Sequence, residues 1–162
     1  MFSLFHAPRR YPRIYAPHYE AFNFYEGREK WLESIAGIPE RAVHLFAVHW
    51  LHLEVHNGGF WQYFFNSTGT SFPEAASGFG AIGMPQVKDV VERAAAKLGE
   101  PYPFDAEERR AIVGDPQDRL PFDDLENEFY ELADTEKFFR RQPKFVPFAE
   151  AYADVFEGGH ED

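Results

Sequence analysis

A chain of 162 residues, 44% hydrophobic and 18% aromatic, has the length of one domain and enough apolar side chains for a core, which excludes a disordered polymer. It has no cysteine, which excludes disulfides, thiolate nucleophiles and cysteine-ligated zinc or iron–sulfur sites. The net charge of −11 lies almost wholly in residues 100–136, where 13 acids face Arg109, Arg110 and Arg119; such a field repels nucleic acid and anionic membranes and favours basic partners.

In chain order, residues 1–18 read as an extended basic arm. Pro8, Pro12 and Pro17 oppose a helix, and Arg9, Arg10 and Arg13 supply the charge. The arm suits a strap over the protein's own acidic surface or over a neighbouring subunit. It has no apolar run of the signal-peptide kind, and nowhere does the chain reach the ~20 apolar residues of a membrane span, so a cytoplasmic protein is expected. Residues 19–157 read as one helical domain and 158–162 as a fraying tail. Helices are predicted over 20–36, 40–56, 60–66, 75–82, 85–98, 106–113, 122–133, 135–141 and 148–156, punctuated by Gly37, Gly58, Gly59, Gly99, Gly114 and several prolines. Asp105 is placed to cap the helix that ends at Val113. No alternating β-type run and no repeat stands out. The expected fold is all-α, a single compact domain of about eight helices with one long central helix and the N-terminal arm.

The stretch HLEVHNGGFWQYFFNSTG, residues 52–69, is a corner. On a helical wheel, residues 41–56 are apolar except for a narrow strip of Arg41, His49, His52 and His56, read as a solvated face. Glu54 falls in the opposite sector, among Val43, Ala47 and Trp50, so its carboxylate is expected to be buried and to need donors. The nearest donors are the backbone N–H groups of 57–60, which open the next helix. On this reading Gly58 and Gly59 permit a turn, Glu54 and Asn57 satisfy its loose donors, and Gln62 and Asn66 pin adjacent backbone. The alternative is a small-molecule pocket lined by Glu54, Gln62 and Asn66.

Glu54-x-x-Asn57-Gly58-Gly59-Phe60-x-Gln62-Tyr63-Phe64-x-Asn66 resembles the signature of a bacterial family catalogued as a domain of unknown function and called DNA-mimic-protein-like. The likeness continues through Gly69, Glu74-Ala75-Ala76, Ile82-Gly83 and, more loosely, Asp123-Asp124-Leu125-Glu126-x-x-Phe129-Tyr130. His56 stands where the family commonly has another polar residue. The resemblance implies an all-helical fold. For some members it also implies an acidic surface that imitates duplex DNA and occupies a DNA-binding protein.

Other motifs carry less. Gly78-Phe79-Gly80-Ala81-Ile82-Gly83 matches GxGxxG in letters, but a helical pattern precedes it where a dinucleotide loop needs a strand, so it reads as a helix-to-helix turn. His49, His52 and His56 have spacings that can face one metal, yet His52-Leu-Glu-Val-His56 is not HExxH. His44 reads as a satisfied core histidine. There is no Walker loop and no GxSxG elbow. No cofactor, metal or catalytic residue is expected.

The helix over 122–134 has the clearest surface signal. Leu125, Phe129 and Leu132 form its inner stripe; Asp123, Asp124, Glu128, Glu131 and Asp134 lie opposite, with no lysine or arginine among them. Like charges one turn apart oppose a helix by a few tenths of a kcal/mol each, so stability alone would interleave lysine. Neighbouring-turn carboxylates stand about 5–6 Å apart at Cβ, the order of the about 3.4 Å axial advance between phosphates of one DNA strand. Glu107, Glu108, Asp115 and Asp118 extend the patch. The expected function is a non-enzymatic acidic interaction protein whose partner is a basic, DNA-binding protein such as a transcription regulator, with a homodimer plausible. Two alternatives stand beside it: a small-molecule or metal-dependent activity near Glu54, Asn57 and the His49/His52/His56 strip, and an immunity or antitoxin-like protein that caps a basic toxin.

Overall fold

The computed structural model describes residues 9–133 and 144–154. Among them are eight α-helices and no strand, so the expected all-α single domain is what the chain forms. The helices are α1 (Pro12–Tyr15), α2 (Arg28–Ile35), α3 (Glu40–Phe65), α4 (Phe72–Ala81), α5 (Pro85–Ala96), α6 (Ala106–Val113), α7 (Asp123–Ala133) and α8 (Phe145–Asp154). Two 3-10 turns, Ala16–Ala21 and Ser67–Ser71, complete the list. The predicted helix over 135–141, the predicted tail and Asp134 lie outside the described residues.

The long central helix is α3, and the others wrap it. Residues 41–48 are buried on every side, which is why their sequence is nearly continuous in apolar residues. Phe46 stacks on Phe22 with ring centroids 3.6 Å apart, and Phe24 stacks on Trp31 at 5.3 Å. On α5, Val87, Val90, Val91 and Ala94 are buried at helical spacing, as the pattern predicts. Asp105 caps α6, accepting from the N–H groups of Glu107 at 2.9 Å and Glu108 at 3.0 Å.

The GxGxxG run has a packing explanation. At Gly78 a Cβ would stand 2.8 Å from Val48 Cγ2 and 2.9 Å from the His44 carbonyl oxygen, so glycine lets α4 lie directly on α3. Arg28 then joins α2 to α4 through a two-pronged pair with Glu74, Nη1–Oε2 at 2.7 Å and Nη2–Oε1 at 2.8 Å. Trp31 donates to the same carboxylate at 3.1 Å.

Three local expectations are corrected. The described part of the arm is not extended: Pro12 and Pro17 each open a short helical turn, because a first-turn proline lacks only an N–H that would have no intrahelical partner. The helix predicted from residue 20 begins only at Arg28; Asn23 Oδ1 takes the Tyr25 N–H at 3.0 Å, and the buried rings of Phe22 and Phe24 hold the preceding chain in a loop. The last helix begins at Phe145, with Pro147 in its first turn and Phe145 and Val146 buried.

Arg10 and Tyr11 fasten the described part of the N-terminal segment to α3 and α8. Tyr11 is fully buried, with its hydroxyl 2.9 Å from His49 Nδ1. The backbone N–H groups of Arg10 and Tyr11 donate to Glu150 Oε1 at 2.7 and 3.0 Å, and Arg10 Nη2 reaches Asp154 at 2.8 Å. This is also why most of the histidine strip is not a solvated face: His49 lies under Tyr11, and the buried His52 packs on Phe145 with centroids 4.4 Å apart, while His56 is exposed as expected. His44 is the core histidine expected, buried and 3.1 Å from the Tyr152 hydroxyl. Among the described residues no helix is long and apolar enough to cross a membrane.

Candidate functional site

The corner forms where two glycines were expected to form it, though with different partners. Helix α3 is interrupted at Gly58 (φ −151°, ψ 20°) and Gly59 (φ 75°, ψ −177°). Such dihedrals break the i→i−4 ladder, in which the Val55 carbonyl would accept from residue 59 and the Phe60 N–H would donate to residue 56. Both groups find partners on α7. Glu126 Oε1 accepts the Phe60 N–H at 2.8 Å, and the Tyr130 hydroxyl donates to the Val55 carbonyl at 2.8 Å. The carboxylate that caps the corner is therefore Glu126, not Glu54.

Glu54 is buried, as its place on the wheel requires, but it serves side chains. Its oxygens accept from Gln62 Nε2 at 2.6 Å, Asn66 Nδ2 at 3.0 Å and Thr68 Oγ1 at 2.9 Å. Gln62 and Asn66 thus hold Glu54 rather than backbone, and Asn57 Nδ2 donates to Gln62 Oε1 at 3.1 Å instead of closing the turn. Thr68 is the member sequence reasoning missed, because it follows the helix end and nothing local marks it as a ligand of Glu54.

The second end of α3 is held by cations. Arg109, 1% exposed, donates from Nε to the Phe64 carbonyl at 3.0 Å and from Nη2 to the Asn66 carbonyl at 3.2 Å. Arg110 Nε takes the Phe65 carbonyl at 3.1 Å. These are the carbonyls that a helix leaves unpaired at its C-terminus, where the dipole also favours positive charge. Burial lowers the Arg109 pKa, and the nearby Tyr102 and Tyr63 oppose that.

One groove of about 650 Å³ is lined by His49, His52, His56, Glu54, Asn57 and Gln62 together with Arg9 and aromatic side chains. The histidine strip and the corner residues therefore meet at one surface. Burial, with smaller contributions from His52 and Arg9, pulls the His49 imidazole down to about 4, so it is neutral near pH 7. Among the described residues no group of three or more His, Cys, Asp or Glu side chains is arranged to hold a metal ion.

On α7, Phe129 and Ala133 are fully buried, Leu125 and Leu132 half-buried, and Asp123, Asp124 and Glu131 exposed. The predicted outer face is thus formed, with one correction: Glu128 is not free of cations, since Arg93 Nη2 of α5 sits 2.6 Å from its Oε1. Two lysines touch the helix region through backbone. Lys144 Nζ donates to the Glu131 carbonyl at 2.7 Å, and Lys97 Nζ donates to the Pro121 carbonyl. Glu107 pairs with Arg110 at 2.6 Å, while Glu108, Asp115 and Asp118 are exposed. Of the arm's cations, Arg10 reaches Glu150 and Asp154 on α8 and leaves the α7 face uncovered.

Glu126 differs from its acidic neighbours. Burial raises its carboxyl pKa, and the Phe60 N–H opposes that rise. One helix therefore carries an inward carboxylate that locks the corner and outward carboxylates that meet solvent. No curated protein and no solved structure matches the chain significantly. The family model described as DMP19-like protein matches residues 36–154, a span that contains the glycine corner, the Arg109 clamp and the acidic helix, and the chain belongs to that family.

Proposed function

We propose that the chain is a non-enzymatic interaction protein whose outward α7 carboxylates occupy the DNA-binding surface of a basic protein, such as a transcription regulator. The observation that carries this reading is the outer face of α7, where Asp123, Asp124 and Glu131 are exposed and make no ion pair with the described residues. Membership of the DMP19-like family, some members of which are DNA mimics, supports it. The mechanism is electrostatic. Opposite fields speed encounter, and carboxylates in the place of phosphates displace counterions from the partner's phosphate-binding side chains. Glu128 contributes less than its neighbours because Arg93 already pairs with it. Asp115, Asp118 and Glu108, exposed nearby in sequence, extend the anionic surface. A toxin-capping protein would use the same face, and a homodimer would double it.

The test is capture of partners by the full chain from a lysate of its native host at low salt, eluted with rising salt. The protein eluted is then assayed for competition between the chain and duplex DNA. Binding is expected to weaken steeply with salt and to be lost in Asp124→Lys/Glu128→Lys/Glu131→Lys. A partner that binds the triple variant as tightly as the natural chain, or that does not release DNA, overturns the reading.

A further inference from the structure

We infer that Glu126 and Tyr130 are positioning residues: through them the glycine corner of α3 sets where the acidic face of α7 stands. The inference rests on the interaction reading above and assigns to the Asn57-Gly58-Gly59-Phe60 motif a part in it.

Helix α7 packs mainly on α5, from which Arg93 also reaches Glu128, and meets α3 at fewer places. Its outer side carries Asp124, Glu128 and Glu131 at helical spacing, a repulsion that the Arg93 pair relieves at Glu128, and its fully buried side chains are Phe129 and Ala133. Two polar pins compensate on the flank that faces α3. Glu126 accepts the Phe60 N–H, and the Tyr130 hydroxyl donates a hydrogen bond to the Val55 carbonyl, each at 2.8 Å. They lie four residues apart on α7, one turn, and they engage the donor and the acceptor that the kink releases. The pairing depends on the kink, because an unbroken helix would use both groups internally.

The kink is shaped to admit the pin. A Cβ on Gly59 would stand 2.1 Å from Glu126 Oε1, and φ at that residue is 75°. Glycine therefore serves two needs at one position, the left-handed turn and the close approach of a carboxylate from another helix. The Glu54, Asn57, Gln62, Asn66 and Thr68 network braces the corner from within. The sequence signature thus acts as the socket for the helix that carries the charge. An anionic surface that imitates the spacing of phosphates needs such a socket, since a loosely held helix would present the right charge in the wrong place.

The test compares the full-length chain with Glu126→Gln, Glu126→Ala and Glu126→Ala/Tyr130→Phe. Gln and Ala remove the same charge, but the Gln carbonyl oxygen still accepts the Phe60 N–H. Native-state amide hydrogen exchange is read element by element. In Glu126→Ala the α7 amides and the Phe60 N–H exchange about tenfold faster, more so in the double variant, while α2 and α6 keep their natural rates and Glu126→Gln stays near the natural chain. The host protein captured above binds Glu126→Ala more weakly than Glu126→Gln. Two results overturn the inference: equal exchange in the Gln and Ala variants, or an acceleration spread evenly over all helices, which marks a purely global contribution to stability. If the charge-reversed triple variant keeps its partner, the interaction reading falls, and the exchange comparison still decides whether α7 is positioned by the corner.

Discussion

Arg109 lies 1% exposed with its Nε 3.0 Å from the Phe64 carbonyl, and no described carboxylate forms an ion pair with it. Its positive charge is answered by the carbonyl end of α3, where Nη2 also meets the Asn66 carbonyl. Tyr102 adds a hydroxyl to the Gly69 carbonyl at 2.8 Å, closing the same turn.

Replacing Arg109 by Met removes the guanidinium donor from the Phe64 carbonyl and one of two donors from the Asn66 carbonyl, which keeps the Gly69 N–H. Urea unfolding of Arg109→Met is expected to show a loss of about 3 kcal/mol or more. Arg109→Lys keeps the charge, but its compact ammonium lacks the span of the guanidinium fork that meets the Phe64, Phe104 and Asn66 carbonyls, and a loss of about 1–2 kcal/mol is expected.

Gly59→Ala meets two obstacles, the positive φ of 75° and the Glu126 oxygen 2.1 Å from the new Cβ. The expected destabilisation is about 2 kcal/mol or more, measured by thermal or urea unfolding. Removing the carboxylate as well, in Gly59→Ala/Glu126→Ala, is expected to recover part of the loss, since the clash disappears while the backbone strain remains. Strict additivity of the two changes would contradict that coupling.

Glu54→Gln tests the inner network. Gln62, Asn66 and Thr68 all present donors to Glu54, and an amide replaces one accepting oxygen by another donor. A loss of about 2 kcal/mol is expected in urea unfolding, although the substitution is nearly isosteric. Asn66→Ala, which removes one donor and leaves two, is expected to lose less.

The His49 imidazole supplies a pH dependence. Its folded value near 4 lies below the ordinary 6.5, so on acidification the unfolded chain takes up the proton first. The His49 contribution to stability is present in full above about pH 6.5 and is lost as pH falls towards about 4. On the order of 2 kcal/mol is at stake, allowing for partial exposure of the ring. In His49→Asn the amide oxygen can still accept from Tyr11, and the slope of stability between pH 6.5 and 4 is expected to flatten in chemical denaturation at a series of pH values. An unchanged slope would assign the dependence to other groups.

Much of the fold was legible because its signals are local. The spacing of Val87, Val90, Val91 and Ala94 marks one face of α5, and Asp105 caps α6 within three residues of itself. Gly59 announced a break because few other residues accept its φ. The outward side of α7 followed from its period, and Asp123, Asp124 and Glu131 are indeed exposed. Periodicity misled where a wheel treats a helix as isolated. The strip of His49 and His52 is polar yet covered, since Tyr11 and Phe145 arrive from opposite ends of the chain.

What the sequence determined by itself was the set of helices, the place of the bend and the sign of the outer surface, all consequences of interactions that span a turn or two of backbone. Tertiary structure alone decided which partner each buried polar group would take. Glu126 rather than Glu54 receives the Phe60 N–H, Arg93 neutralises Glu128, and Arg109 closes the end of α3. Those choices join residues 35 to 66 positions apart, and they depend on how rigid helices pack around a shared core, a geometry that no local pattern of residues encodes.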